Sequence, residues 1–322
     1  MGEYKSTPLC ALSSTSCNSS CNSSNNRLKY KLIVSDLDAT LLNSSGLISD
    51  RTIEAIRRYQ ALGGLFTYAT GRSEVSSRIF AEQAGIKIPG IAYNGAKVVS
   101  HLDGIVIYET FLDGECTKKA YIALRKLNKD VIIYLENSRH VAEFTDVIGK
   151  YMERVRQGVK IIKDIDKVIG GSGNATPGPS GHPLRNEGGS IRSEGGYARV
   201  KKLLVIDPQQ EEELIINATK PIFGDDLNCI KSDPQYYEFL APGTSKGQAL
   251  KALAGHLGIG LNETVAIGDH LNDISMIEAA GLGAAVANAE KDVLDAADYI
   301  TESNDNDGVA LLIEKLINGD LL

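Results

Sequence analysis

Residues 30–40 read Tyr-Lys-Leu-Ile-Val-Ser-Asp-Leu-Asp-Ala-Thr. A short apolar run ends abruptly in two carboxylates, Asp36 and Asp38. That is the pattern of a buried strand delivering charge to the edge of a sheet. The chain then repeats a strand–helix rhythm. Ser49-Asp50-Arg51 opens a helix over 52–62, which Gly63-Gly64 stops. Residues 65–69 form a second strand ending at Thr70-Gly71-Arg72, and 73–84 a second helix. Residues 91–93 form a third strand ending at Asn94-Gly95. Near the other terminus, 245–257 reads as helix and 264–267 as a strand ending at Gly268-Asp269. Residues 273–280 read as helix and 283–286 as strand. Such alternation predicts an α/β fold: a Rossmann-like, three-layer core with a parallel sheet and helices on both faces.

Residues 97–241 break the rhythm. Strands at 98–100 and 105–109 flank Asp103-Gly104, a hairpin signal. A helix over 113–127 follows, then strands at 131–136 and 140–144. Further on come a strand at 201–207, a helix from Gln209 and a strand at 236–240. This predicts an inserted α+β cap over 97–241 and a discontinuous core of 28–96 and 242–322.

Two stretches fall outside this pattern. Residues 6–26 carry no charge, and 14 of those 21 are Ser, Thr or Asn. They cannot bury enough apolar area to offset ordering entropy, so 1–27 is expected to be a disordered tail, either a transit peptide or a cloning remnant. Residues 170–196 hold nine Gly and three Pro in 27 positions and are expected to form a flexible insertion in a surface loop.

The bulk composition narrows the function. A length of 322 residues suggests about two domains. The charge of −7 argues against nucleic-acid or polybasic membrane binding. No run of about 18 apolar residues exists, so no membrane span is expected. Five cysteines, three of them in the tail, make no disulfide framework, and Cys17 and Cys21 lack the partners of a zinc site. A cytoplasmic protein, monomeric or weakly homodimeric, is the expectation.

Chemistry is expected where the core strands end, because open parallel sheets collect ligands outside their carboxyl edge. Asp36, Asp38, Asp269 and Asp273 converge there, and four carboxylates in one crevice need a cation. Oxygen ligands suit Mg2+. Lys246, at a helix start, would relieve repulsion around Asp36 and bind phosphate. Thr70 and the Gly71 amide could donate to phosphate oxygens. An anion site beside a metal site is what phosphoryl transfer requires.

Four motifs stand in order: DLDAT (36–40), Thr70, GTSKG (243–247) and GDHLND (268–273). With them the chain resembles the haloacid dehalogenase superfamily, specifically its Cof-type phosphatases, over nearly all of 28–322 except 170–196. The resemblance implies Asp36 as nucleophile forming an aspartyl-phosphate, and Asp38 as general acid and then base. It implies Mg2+ held by Asp36, the Asp38 carbonyl and Asp269, with Asp273 supporting through water or a hydrogen bond. Thr70 and Lys246 would hold the phosphoryl group, and Asn272 would orient Lys246 or the phosphate. One departure stands out: Ala39 occupies a position where the family usually has Gly, which matters if its φ is positive.

Plainer roles compete at several positions. Thr40 is read as a brace for its loop. Arg72 either forms a supporting salt bridge or contacts substrate. Asn94-Gly95 makes a turn at the mouth, or Asn94 touches the leaving group. His270 is read as loop filler, and His101 and His140 as surface residues. The expected activity is a Mg2+-dependent phosphatase acting on a small phosphorylated metabolite, a sugar phosphate or phosphorylated cofactor. A phosphomutase on the same scaffold and a catalytically impaired phosphate-binding protein are the alternatives.

Overall fold

The computed structural model describes residues 28–136, 138–155, 158–169 and 199–321. The expected tail and the 170–196 insertion lie outside the described residues. The chain first lays down β1 (Leu32–Ser35), β2 (Leu65–Tyr68) and β3 (Gly90–Ala92), then the pair β4 (Lys97–Val99) and β5 (Val106–Glu109). Six strands follow: β6 (Asp130–Leu135), β7 (Arg139–Val141), β8 (Lys160–Ile161), β9 (Val200–Ile206), β10 (Asn228–Asp233) and β11 (Tyr236–Leu240). The chain returns with β12 (Thr264–Gly268), β13 (Leu282–Ala285) and β14 (Tyr299–Ile300).

The core sheet is parallel, in the order β14-β13-β12-β1-β2, and a parallel bridge between Ala69 and Ile91 reaches towards β3. Its strands are apolar on both faces, as a doubly covered sheet demands. Ile33, Phe66 and Ile267 pack on one side with the helices Asp50–Ala61 and Gly308–Asn318. Leu32, Val34 and Ala266 pack on the other with the helix Lys246–Leu257. This alternation of side chains builds the three layers. Helix starts are set locally: the Ser49, Ser73 and Ser245 hydroxyls each accept from the backbone N–H three residues on.

The second sheet runs β10-β11-β9-β6-β7-β8 and is antiparallel except for the β7–β8 pair. The helices Gly114–Lys126 and Glu212–Phe223 cover one face, closing an apolar cluster around Leu203, Val205 and Phe239. The other face carries Leu204, Ile206, Leu240 and Tyr134, which cluster with Ala92, Tyr93 and Ala96 of the core loop. That face therefore roofs the core.

The hairpin β4–β5 makes a three-stranded antiparallel sheet with β3. Val98 is wholly buried in the cluster of Leu32, Val34 and Leu250. Residues 97–109, read from sequence as the start of the cap, thus pack on the core. The reason is that β4 pairs directly with core strand β3, a partner that local pattern does not reveal. No helix among the described residues is long and apolar enough to cross a membrane.

Candidate active site

The site forms where β1, β2 and β12 end. Asp36 directly follows β1, and its backbone N–H donates to the Ile267 carbonyl of β12. The chain then makes one wide turn over Leu37–Leu41, closed by Leu42 N–H to the Leu37 carbonyl at 2.8 Å. Ala39 sits in this turn at φ 58°, in the left-handed region that favours glycine. Asn288 Nδ2 secures it by donating to the Ala39 carbonyl at 2.9 Å.

Asp36 and Asp273 share one cation. Lys246 Nζ lies 2.5 Å from Asp36 Oδ1 and 2.5 Å from Asp273 Oδ1, all three side chains being buried. Lys246 reaches them from the first turn of its helix. Asp273 Oδ2 accepts the backbone N–H groups of Asp269 and His270 at 3.0 and 3.1 Å. A Cβ on Gly268 would fall 2.4 Å from the Asp273 carboxyl, so glycine is required there. Asp269 approaches from the end of β12, and Thr40 Oγ1 donates to its Oδ1 at 2.6 Å. Thr40 thus braces the two loops against each other and not its own loop alone.

Electrostatics follow from this crowding. Burial pushes the Asp36 carboxyl well above the ordinary carboxylate value; Lys246 opposes that, while Asp273, Asp269 and Asp38 add to it. Burial, reinforced by Asp273, pushes Asp269 up to about 7, against the Thr40 hydrogen bond. Burial works against the charge on Lys246, but Asp273 and Asp36 outweigh it and raise its pKa. One lysine does not neutralise the cluster. Asp36, Asp269 and Asp273 each bring a carboxylate oxygen within 4.8 Å of the others. Both Asp273 oxygens are already engaged by Lys246 and backbone amides. Asp36 and Asp269 each retain an oxygen with no protein partner among those bonds. A hard, all-oxygen donor set with surplus negative charge fits a divalent cation such as Mg2+.

Asp38 stands apart, at the rim. Arg72 grips it with Nε to Oδ2 at 2.8 Å and Nη2 to Oδ1 at 2.5 Å. The supporting salt bridge is therefore the arrangement Arg72 adopts. Its guanidinium also lies over the Phe80 ring. Thr70 is buried, and its Oγ1 accepts the Arg72 N–H at 3.1 Å, leaving the hydroxyl proton free to donate elsewhere.

One expectation needs correction. Asn94 is not at the mouth: it is wholly buried. Its φ of 54° turns it inward, and Nδ2 donates to Glu238 Oε2 at 2.9 Å. Asn272 lines the cavity, and its Nδ2 donates to Asn94 Oδ1 at 2.9 Å. Gly95 permits this packing, since at φ 98° its missing Cβ would sit 2.1 Å from the Ser245 carbonyl oxygen. His270 is no mere filler, because Nε2 meets Glu290 at 2.9 Å.

A cavity of about 270 Å³ opens over these groups. Asp36, Asp38, Thr70, Gly71, Arg72, Asp269 and Asn272 form its floor, and the second sheet and its neighbouring helix supply the roof: Tyr134, Tyr151, Arg154, Lys202, Tyr236 and Glu238. Sequence reasoning assigned none of the roof residues. The available signal was charge inside apolar strands, Lys202 in VKKLLVI and Glu238 in YYEFL.

A carboxylate cluster, a buried lysine and a hydroxyl at adjoining strand ends, roofed by a second sheet, define a class of hydrolase. The family model described as haloacid dehalogenase-like hydrolase matches residues 33–172 and 187–313. The phosphatase YwpJ of Bacillus subtilis is 32% identical, over 89% of this chain and 100% of its own. The 5-amino-6-(5-phospho-D-ribitylamino)uracil phosphatase YwtE of the same organism is 29% identical over 90% and 99%. A haloacid dehalogenase-like hydrolase from Bacteroides thetaiotaomicron superposes with a TM-score of 0.72 at 27% identity, covering 89% of this chain and 99% of that one. The chain belongs to the haloacid dehalogenase superfamily, in its Cof-type phosphatase branch.

Proposed function

We propose that the protein is a Mg2+-dependent phosphatase that hydrolyses a small, hydroxyl-rich phosphomonoester, such as a sugar phosphate or a phosphorylated cofactor precursor, through an aspartyl-phosphate on Asp36. The observation that carries this is the buried Asp36–Lys246–Asp273 arrangement facing the roofed cavity. Relatives that bear the names of a ribitylaminouracil phosphatase support the substrate class. So does a roof rich in tyrosine, whose rings and hydroxyls suit polyols and heterocycles.

In this reading Lys246 fixes Asp36 Oδ1 and leaves the other oxygen to attack phosphorus. Thr70 and the Gly71 N–H donate to phosphoryl oxygens. Asp38, held at the rim by Arg72, gives its proton to the leaving oxygen as the phosphorus–oxygen bond breaks. It then takes a proton from water, which attacks the phosphorus and frees Asp36. Asp36, Asp269 and the Asp38 carbonyl would hold Mg2+, with Asp273 fixing Lys246 and the loop. When bound, the ion offsets the charge shared by nucleophile and phosphate.

A panel of phosphomonoesters with Mg2+ tests the proposal. Phosphate release from at least one small sugar or polyol phosphate is expected, at a rate abolished by chelator. Isomerisation without release would indicate a phosphomutase instead, and no turnover of any ester would refute the reading.

A further inference from the structure

Cap and core are joined behind the phosphate loop by a buried chain of polar contacts. Lys202 on β9 and Glu238 on β11 are diagonal neighbours on the roof face, since Glu238 registers with Leu204. Both are almost wholly buried, with Nζ to Oε2 at 2.7 Å. Lys202 Nζ also donates to the Gly71 carbonyl of the core at 3.0 Å. Glu238 Oε2 accepts from Asn94 Nδ2, and Ser232 Oγ donates to Oε1 at 2.8 Å. The chain ends at Asn272, whose Oδ1 is buried without a partner among the described residues, beside the cavity.

The direction of this chain is dictated by chemistry. An ionised carboxylate only accepts, so Glu238 forces Asn94 to present its NH2. Asn94 must then turn its oxygen to Asn272, which answers with its own NH2. Asn272 is left with its oxygen on the unpartnered side. At the other end, Lys202 fixes the peptide oxygen of Gly71 and so the tilt of the loop that follows Thr70. The contacts exist only while the second sheet sits on the core.

We propose that Lys202 and Glu238 are positioning residues: from the cap, Glu238 holds Lys202 on the Gly71 carbonyl and so fixes the phosphate-binding turn that follows Thr70, which makes phosphate binding depend on cap closure. This rests on the proposed phosphatase reading. It differs from a leaving-group contact, because its effect falls on the phosphoryl group, which every substrate shares.

The test compares wild type with Glu238→Gln and Lys202→Met. Glutamine is nearly isosteric but removes the charge that holds Lys202 on the Gly71 carbonyl. Binding of inorganic phosphate in Mg2+ is measured by titration calorimetry, and kcat/KM is measured on p-nitrophenyl phosphate and two bulkier monoesters. Phosphate Kd is expected to rise about tenfold or more in both variants, and kcat/KM to fall by the same factor for every ester. A Kd within about twofold of wild type would overturn the proposal. So would a loss that grows with leaving-group size. Should Glu238→Gln fail to fold, Lys202→Met decides by the same criteria. Wild type that binds phosphate tightly but hydrolyses no ester would defeat the phosphatase reading alone, and the Kd comparison would still judge this one.

Discussion

Ala39 offers a perturbation whose sign can be worked out. Its φ of 58° and ψ of 8° place an alanine in the left-handed region, between Asp38 and Thr40. An L-residue pays about 1–2 kcal/mol there, which glycine does not. Glycine in turn makes the unfolded chain freer, which costs about 0.4–1 kcal/mol. The Ala39 side chain is exposed, so its removal opens no hole in the core. Ala39→Gly is therefore expected to stabilise by about 0.5–1 kcal/mol, or a Tm increase of about 1–3 °C for a protein of this size. Ala39→Val should move Tm the other way and further, because a β-branched residue tolerates this conformation worst. The turn is also held by Thr40 on Asp269 and by Asn288 on the Ala39 carbonyl. Asp36 and Asp38 should keep their places, with kcat for Ala39→Gly within about twofold of wild type. Thermal unfolding with chelator present reads the effect without metal stabilisation. A lower Tm for the glycine variant, or no loss for the valine variant, would refute the reasoning.

The remaining predictions concern charge and the insertion. Chelation should abolish turnover and Mg2+ restore it, while Asp269→Ala should raise the Mg2+ needed for half-activity by at least about tenfold; titration of activity with the ion checks this. With Asp269 raised to about 7 by burial, the metal-free fold binds more protons than the unfolded chain between the ordinary carboxylate range and that value. Its stability contribution therefore falls as pH rises, and Mg2+ reverses this once the proton is gone. The Tm gain on adding Mg2+ should accordingly grow between about pH 5 and about pH 8, as scanning calorimetry would show. The family match passes over 173–186. Replacing those residues with a short Gly-Ser turn should leave Tm and kcat/KM nearly unchanged, because closure entropy depends weakly on loop length.

Much of the core was legible because its determinants are local. The apolar run before Asp36, the capping serines at 49, 73 and 245, and the carboxylates after β12 all declare themselves within a few residues. Where sequence reasoning fell short, the cause was pairing between distant segments. Residues 97–109 look like the start of a new unit, yet β4 finds its partner in β3. Asn94 followed by Gly95 looks like an exposed turn, but the backbone is left-handed at both positions and Asn94 lies buried against Glu238 of the second sheet. Lys202 and Glu238 lie far apart in sequence and become a pair only when β9 and β11 register. Their one local sign was a charge within an apolar strand, which an edge facing solvent would explain equally well.

The central claim is that Asp36 carries the phosphoryl group. Buried beside Lys246 at the end of β1, it should be the site of covalent labelling during turnover. A rapidly acid-quenched reaction with a turned-over phosphomonoester, followed by peptide mass analysis, measures this directly. The account predicts a phosphorylated peptide containing Asp36, absent in Asp36→Asn, whose kcat falls by at least about 10³-fold while its fold persists. Near-wild-type turnover by Asp36→Asn, or a phosphoryl group trapped on any other residue, would contradict it.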